Sequence, residues 1–468
     1  MERLIKVGQI KPKRSDEVKH SRIGLGFEKL DRDVFDPEKS YDRLLEAGVK
    51  WIRIQSGWQR TEKEKGVYDF EWLDKVVDNL IKRGLKPWIC LCYGNGLYDD
   101  RAKEIFGAVG CPPIFTEEQK QAWKNYVEAT VKHYMGRVEY YEIWNEPDGI
   151  WCWKHGVNGT ELGEFTRDTA KTIKSVSRDI KTIGGALCLR PIAFLNEAFK
   201  TGMGEFLDYI SFHEYTADET LVFERVKALK SLAQKYNPNI QIIQGESGSP
   251  SRSDGSGALH YGCWTQEKQA KQLARHTLAD LMTDVLFTSY FSCMDMIEAL
   301  GGRVDDKLSY QDYGYFGVIG ADFDEDGFAV GEYTPKKSYY VLQNIASVFS
   351  DDYERCDMPV LFTPQKSERI FKFDVERSDI IDGCFKKQNG EAFVYWYKSD
   401  IMTTSFESTI SMEIYSEYDK VNLVDVMDGS IYEIPAEVME RDKSGMYLFK
   451  NLPIKDTPMM ITFGDFVI

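Results

Sequence analysis

Two glutamates close two apolar runs. The run Tyr140-Tyr141-Glu142-Ile143-Trp144-Asn145-Glu146-Pro147 ends on Glu146, and Pro147, with no backbone N–H to donate, stops the ladder there. Further along, Ile242-Ile243-Gln244-Gly245-Glu246-Ser247-Gly248 brings Glu246 to the end of another run. A single carboxyl at a strand end is most often a helix cap or half of an ion pair. Two at matched ends of separate strands, beside Asn145 and Gly248, suit a different task. One carboxyl can protonate a leaving oxygen while the other attacks or activates water, which is what cleavage of a glycosidic bond requires. A like charge a few ångströms away also raises the pKa of one member, so one of the pair is expected to stay protonated near neutral pH.

The elements that must bring these groups together read as strand–helix alternation. Strand-like runs occur at Ile23–Phe27, Trp51–Gln55, Pro87–Tyr93, Val138–Trp144, Thr182–Cys188, Tyr209–His213, Gln241–Gly245 and Val285–Phe291. Amphipathic helical runs fall at Pro37–Ala47, Glu71–Arg83, Glu117–Met135, Leu162–Asp179, Leu221–Tyr236, Gln266–Thr283 and Lys337–Val348. The connection after the fifth strand has the weakest pattern. Gly48 and Gly84 follow two of the helices, where glycine supplies the left-handed residue that turns the chain back. Alternation at this spacing predicts an α/β fold, a (β/α)8 TIM barrel over residues 21–350. An open doubly wound sheet would want a glycine-rich phosphate turn after an early strand, and the sequence has none. In a barrel, function gathers at the C-terminal ends of the strands, where strands four and seven would face Glu146 and Glu246 across one mouth. From residue 351 to 468 the runs become short and β-rich, at Arg369–Val375, Ala392–Tyr397, Thr409–Ile414, Val421–Val424 and Met459–Phe463, with turn signals at Asn389-Gly390 and Asp428-Gly429. This predicts a C-terminal antiparallel β-sandwich, to which residues 1–20 are expected to lend a strand.

Composition narrows the function classes. Hydrophobic residues at 43% and aromatics at 13% supply material for a large core and exclude a disordered chain. With 59 basic against 75 acidic residues the formal charge is −16, so nucleic acid and anionic membrane are not expected as partners. The nine cysteines form no paired CxxC array, and Cys90 and Cys92 sit in an apolar run as buried thiols. The six histidines are scattered without an HxH pair, so a metal-dependent hydrolase is disfavoured; no metal and no cofactor are expected. The first residues, Met1-Glu-Arg-Leu-Ile-Lys, are too polar for a signal peptide, and a cytoplasmic location is the expectation if this start is native.

Trp144-Asn145-Glu146-Pro147 on the fourth strand, with Gly245-Glu246-Ser247 on the seventh, resembles the retaining glycoside hydrolases of clan A. The stretch Gly57-Trp58-Gln59-Arg60-Thr61-Glu62-Lys63-Glu64-Lys65-Gly66-Val67-Tyr68-Asp69-Phe70 is similar to the segment after the second strand in family 39, the β-xylosidase and α-L-iduronidase family. The resemblance implies that Glu146 is the general acid/base and Glu246 the nucleophile. It implies that Asn145 hydrogen-bonds the sugar 2-hydroxyl, that Arg53 orients Glu246 and holds it ionised, and that Tyr215 donates to the nucleophile. His213 would contact the sugar or the acid/base, whereas Glu214 points the other way by alternation. In place of the tryptophan usual near the end of the eighth strand in that clan, this chain has Phe291.

Sugar rings present apolar C–H faces, so aromatic platforms are expected at the rim, with Trp58, Tyr93, Trp151 and Trp153 as candidates. The long connections Gly94–Pro113 and Asp295–Thr334 suggest walls that close one side of the cleft and favour a pocket for one terminal sugar. The expectation is thus a retaining exo-acting glycosidase, with β-xyloside first among substrates and β-glucoside, β-galactoside and α-L-arabinoside open. Its partner is carbohydrate, and assembly into a homo-oligomer is open. The alternative is a noncatalytic carbohydrate-binding barrel.

Overall fold

A computed structural model describes residues 4–103, 108–298, 312–363 and 375–467. Eight parallel strands close into a barrel: β1 (Ile23–Gly26), β2 (Trp51–Gln55), β3 (Lys86–Leu91), β4 (Tyr140–Ile143), β5 (Lys181–Leu187), β6 (Tyr209–Glu214), β7 (Gln241–Ser247) and β8 (Val285–Tyr290). Closure is made by β1 on β8, with Leu25 opposite Tyr290. Helices follow the strands, as alternation predicts. One was absent from the periodicity reading: Ile192–Lys200, which fills the connection after β5. At nine residues it is too short to show a clear amphipathic repeat. The run at Pro37–Ala47 divides into a single turn, Pro37–Lys39, and a short helix, Tyr41–Glu46.

The barrel lumen is layered. Alternation along β2 points Trp51, Arg53 and Gln55 inward at rising levels. The lowest layer is aromatic and aliphatic: Trp51 stacks on Phe287 at 4.3 Å, with Trp88, Ile183 and Ile243 completing it. Above it, the lumen turns polar.

The C-terminal region forms two antiparallel sheets of seven and four strands. Strand Gly390–Tyr397 shows how they pack. Phe393 and Tyr395 join the core between the sheets, while Val394 and Trp396 face the barrel and belong to its core. The N-terminal strand Ile5–Gln9 pairs antiparallel with Ser430–Glu433 at the edge of the larger sheet. A buried Arg275–Glu219 pair at 2.7 Å, with Trp396 Nε1 donating to Glu219 at 2.8 Å, ties the barrel to this sheet. The strand expected from Arg369 falls on residues 364–374, outside the described residues.

Candidate active site

The two glutamates reach the mouth by different local devices. Beyond β4 the chain turns sharply: Trp144 (φ 67°) and Glu146 (φ 44°) both occupy the left-handed region, on either side of Asn145. That conformation costs a non-glycine residue about 1–2 kcal/mol, so the surroundings must hold it. They do so through Trp144 N–H to Leu91 O (3.1 Å), Glu146 N–H to Ala186 O (3.0 Å) and Trp144 Nε1 to Cys152 O (2.8 Å). Two residues on, buried Asp148 accepts from the backbone N–H groups of Cys188, Leu189 and Arg190, clamping this loop to the one after β5.

On β7 the device is a bulge. Phe212 pairs with Gln244 and His213 with Glu246, leaving Gly245 as an extra residue. Ile243 lies in the lumen's lowest layer, so strict alternation would send Glu246 outward. The bulge turns it inward.

There the side chains converge. One oxygen each of Glu146 and Glu246 and one nitrogen of His213 all lie within 4.8 Å of one another. Tyr215 Oη donates to Glu246 Oε2 at 2.6 Å, and Arg53 Nη1 donates to Glu246 Oε1. His213 Nδ1 is 2.9 Å from Glu146 Oε1 and 3.4 Å from Glu246 Oε2, and Trp151 Nε1 donates to Glu146 Oε2 at 2.6 Å. Arg53 is fully buried and also donates to Asn145 Oδ1 (2.8 Å), Glu142 Oε2 (2.6 Å) and Glu28 Oε1 (3.0 Å). Phe291 packs edge-on against Tyr215 with ring centroids 6.3 Å apart.

Charge is distributed by burial and by partners. For Glu146, burial works to raise the pKa, but the hydrogen bond and charge of His213 outweigh it and hold the carboxyl below its usual range. For His213, burial opposes the cation, yet Glu246 and Glu146 together raise its pKa. The neighbouring carboxyl that is raised is Glu28, pushed up to about 8 by burial against the opposing pull of Arg53, with Glu246 adding to the rise. Burial also drives the Tyr215 phenol well up, keeping it a donor.

Several readings need correction. Trp58 is wholly buried between Tyr98 and Tyr126, and its Nε1 bonds Glu62, so it offers no face to a sugar. Trp153 is equally buried against Trp144 and Phe165. Tyr93 is 4% exposed, with Arg32 over one face and its hydroxyl accepting from Gln55, which makes it wall rather than platform. Trp151 is the half-buried aromatic at the mouth. Glu214, as alternation predicts, lies on the opposite side of β6, between Arg190 and Arg225. Glu28, Glu142 and Gln55 were missed; an ionisable residue inside an apolar run, as Glu142 is, was the signal.

Among the described residues, Glu146, His213 and Glu246 are the group whose donors are near enough to share an ion. The guanidinium of Arg53, bonded directly to Glu246, makes a second cation there costly, and the set fits the handling of protons better than of a metal.

Residues 43–247, which include both glutamates, match the family model described as Glycosyl hydrolases family 39. Over this stretch the chain is similar to glycosyl hydrolases family 39. The chain is 27% identical to a beta-xylosidase of Caldicellulosiruptor saccharolyticus over 195 residues, 37% of this chain and 38% of that protein. A beta-xylosidase of Geobacillus stearothermophilus is 24% identical over 165 residues, 33% of this chain and 32% of that protein. The match thus spans about a third of the length of these curated relatives. A solved family 39 glycoside hydrolase from Bacteroides cellulosilyticus WH2 shares the fold, with a TM-score of 0.65 at 19% identity over 97% of this chain and 83% of that one.

Proposed function

We propose that the protein is a retaining glycosidase that removes terminal sugars from β-glycosides, with β-xylosides first in line. One observation carries the reading: two glutamates from opposite strands present oxygens within 4.8 Å of each other at the barrel mouth. Retaining enzymes hold their carboxyl groups about 5–5.5 Å apart, whereas inverting ones leave about 6.5–9.5 Å for a water. The supports differ in kind as well. Glu246 sits between the Arg53 guanidinium and the Tyr215 hydroxyl, which stabilise a carboxylate nucleophile. Glu146 shares a proton with His213, which suits a group that gives and then takes one.

In the first step Glu246 Oε attacks the anomeric carbon. The bond to the leaving oxygen breaks, and the Glu146 carboxyl transfers its proton to that oxygen. In the second, Glu146 takes a proton from water as the water oxygen attacks the same carbon and releases Glu246. Two inversions give net retention. Asn145, held by Arg53, would bond the sugar 2-hydroxyl, and Trp151 and Phe291 would meet its apolar surface. Preference for β-xylosides rests on the beta-xylosidase relatives, and cleavage at chain ends rests on the long connections around the mouth.

The test is a panel of nitrophenyl glycosides with proton NMR of the first-formed product. Release of the β-anomer from the β-xyloside supports the reading. An initial α-product would refute retention, and faster cutting of internal polysaccharide bonds than of aryl monoglycosides would refute exo action.

A further inference from the structure

The glycosidase chemistry makes no use of the nine cysteines, and two of them face each other. Cys90, Cys92, Cys111, Cys152 and Cys293 are buried, and Cys263 is exposed. Cys356 and Cys384 differ from these. They stand half-buried on neighbouring strands of the seven-stranded sheet, Glu354–Cys356 and Ile380–Lys387. The two strands run antiparallel, and their register sets Cys356 directly opposite Cys384. Opposed residues of such a pair share a face of the sheet, with Cα atoms about 4.5–5.5 Å apart. A disulfide spans about 4.4–6.8 Å between Cα atoms, so the register lies within its reach.

The surroundings agree with that placement. Glu354 shares the face of Cys356 by alternation, and it meets its own opposite residue, Lys386, in an ion pair at 3.0 Å. Cys356 is also among the groups that raise the pKa of Cys384, so the two thiols lie close enough to act on each other. Between Glu354 and Cys356, Arg355 points the other way. Its Nη1 donates to Met282 O at 2.7 Å and its Nη2 to Asp284, both just before β8 and so at the end of the barrel away from the mouth. The strand is three residues long and forms the edge of its sheet, where few ladder bonds hold it.

We propose that Cys356 and Cys384 are a thiol–disulfide site, joined by reaction with a low-molecular-weight disulfide into a cross-strand bond that clips the edge strand to the sandwich. Arg355 pins the same strand to the barrel, so the bond would lock the junction between the two. The reaction balances as two exchanges. The Cys356 thiolate attacks one sulfur of the small disulfide, whose S–S bond breaks and releases a thiolate. The Cys384 thiolate then attacks Cys356 Sγ, forming the protein S–S bond and expelling the second small thiolate. Two protein thiols lose two protons and two electrons, and the small disulfide becomes two thiols. Burial pushes Cys356 up to about 11 and Cys384 up to about 12, so Cys356 is the readier to attack first and the reaction quickens with rising pH.

The experiment incubates the folded full chain with oxidised glutathione at about pH 9, where the thiolate fraction is larger, then blocks remaining thiols, unfolds the protein and maps tryptic peptides by mass. Cleavage after Arg355 and at Lys366 leaves Cys356 in one peptide, and Ser378–Lys386 carries Cys384 in another. The expected result is these two joined, lighter by two hydrogens than their sum, and separated again by dithiothreitol. Closing a loop of about thirty residues should raise the thermal midpoint of the oxidised protein by about 5 °C over the reduced one. That difference should vanish in Cys356→Ser and in Cys384→Ala, either of which suffices if the other fails to fold. Recovery of Cys356 only as a thiol or as its glutathione adduct overturns the proposal. So does linkage of either cysteine to exposed Cys263 in equal yield, or an oxidised midpoint that the two variants share with the wild type.

Discussion

Glu28→Gln tests the electrostatics of the barrel without touching a reacting group. Glu28 is buried beside Arg53 and Gln55, and its pKa of about 8 lies far above the 4.5 of an unperturbed glutamate. Below pH 4.5 the residue is protonated whether the chain is folded or not, so it neither adds nor subtracts stability. Between 4.5 and 8 the unfolded chain releases this proton and the folded chain keeps it. Each pH unit in that window then favours unfolding by about 1.4 kcal/mol. Across the window the loss reaches about 5 kcal/mol, a large part of the total stability of an ordinary domain. Glutamine copies the protonated form and cannot ionise. The variant should therefore match the wild type near pH 4.5, exceed it progressively up to pH 8, and hold a constant advantage above that. Urea unfolding of both proteins at unit pH steps measures this, and taking the difference at each pH cancels the contribution of the sandwich. A difference independent of pH would show that Glu28 is ionised in the fold, and the account of the Arg53 cluster would fail.

The remaining expectations are brief. Glu246→Ala should lower kcat on aryl β-glycosides by more than about 10⁴-fold with the fold intact by circular dichroism, whereas Glu146→Ala should lose about 10²–10⁴-fold and recover with azide on activated substrates. If neither loses more than about tenfold, the assignment is wrong. Arg53→Met leaves buried carboxyl groups without their guanidinium and should destabilise the protein by about 3–5 kcal/mol in urea, with part of that recovered when Glu28→Gln is added. Trp58→Ala should cost about 3–5 kcal/mol in stability with KM unchanged. Trp151→Phe, by contrast, should keep stability and lower kcat by about 10–100-fold, the worth of one hydrogen bond to a charged group. Exhaustive dialysis against a chelator should leave turnover as it was.

Strand ends were the legible part of this chain. A barrel collects its site from residues that close apolar runs, so Glu146 and Glu246 could be picked out from the runs themselves; Arg53, His213 and Tyr215 followed from the family resemblance, and the structure brings the five together. What escaped lies one layer deeper. Glu142 carried a signal, an acid inside an apolar run, but Glu28 lies just past the end of β1, where a carboxyl looks, in sequence, like any loop residue. The bulge at Gly245 is hidden because it breaks the period on which strand reading depends. The aromatic platforms failed for a related reason. Trp58 and Trp153 follow strands as a rim residue would, yet their rings turn back into the aromatic layer beneath the loops, among Trp123, Tyr126 and Phe165. Residue type cannot distinguish those two directions.

The deeper layer also explains why the site needs so many acids. Arg53 spreads its five N–H donors over Glu28, Glu142, Glu246 and Asn145, so one cation serves three carboxyl groups. Were all three ionised in the lumen, the excess charge would have no counterion and Glu246 would compete for the guanidinium. A proton on Glu28 relieves that competition without removing a hydrogen-bond acceptor, and leaves the guanidinium to Glu142 and Glu246. Glu28 thus sets how firmly Arg53 grips Glu246. As pH passes about 8 and Glu28 ionises, that grip must loosen, with Tyr215 left to hold the nucleophile from the other side.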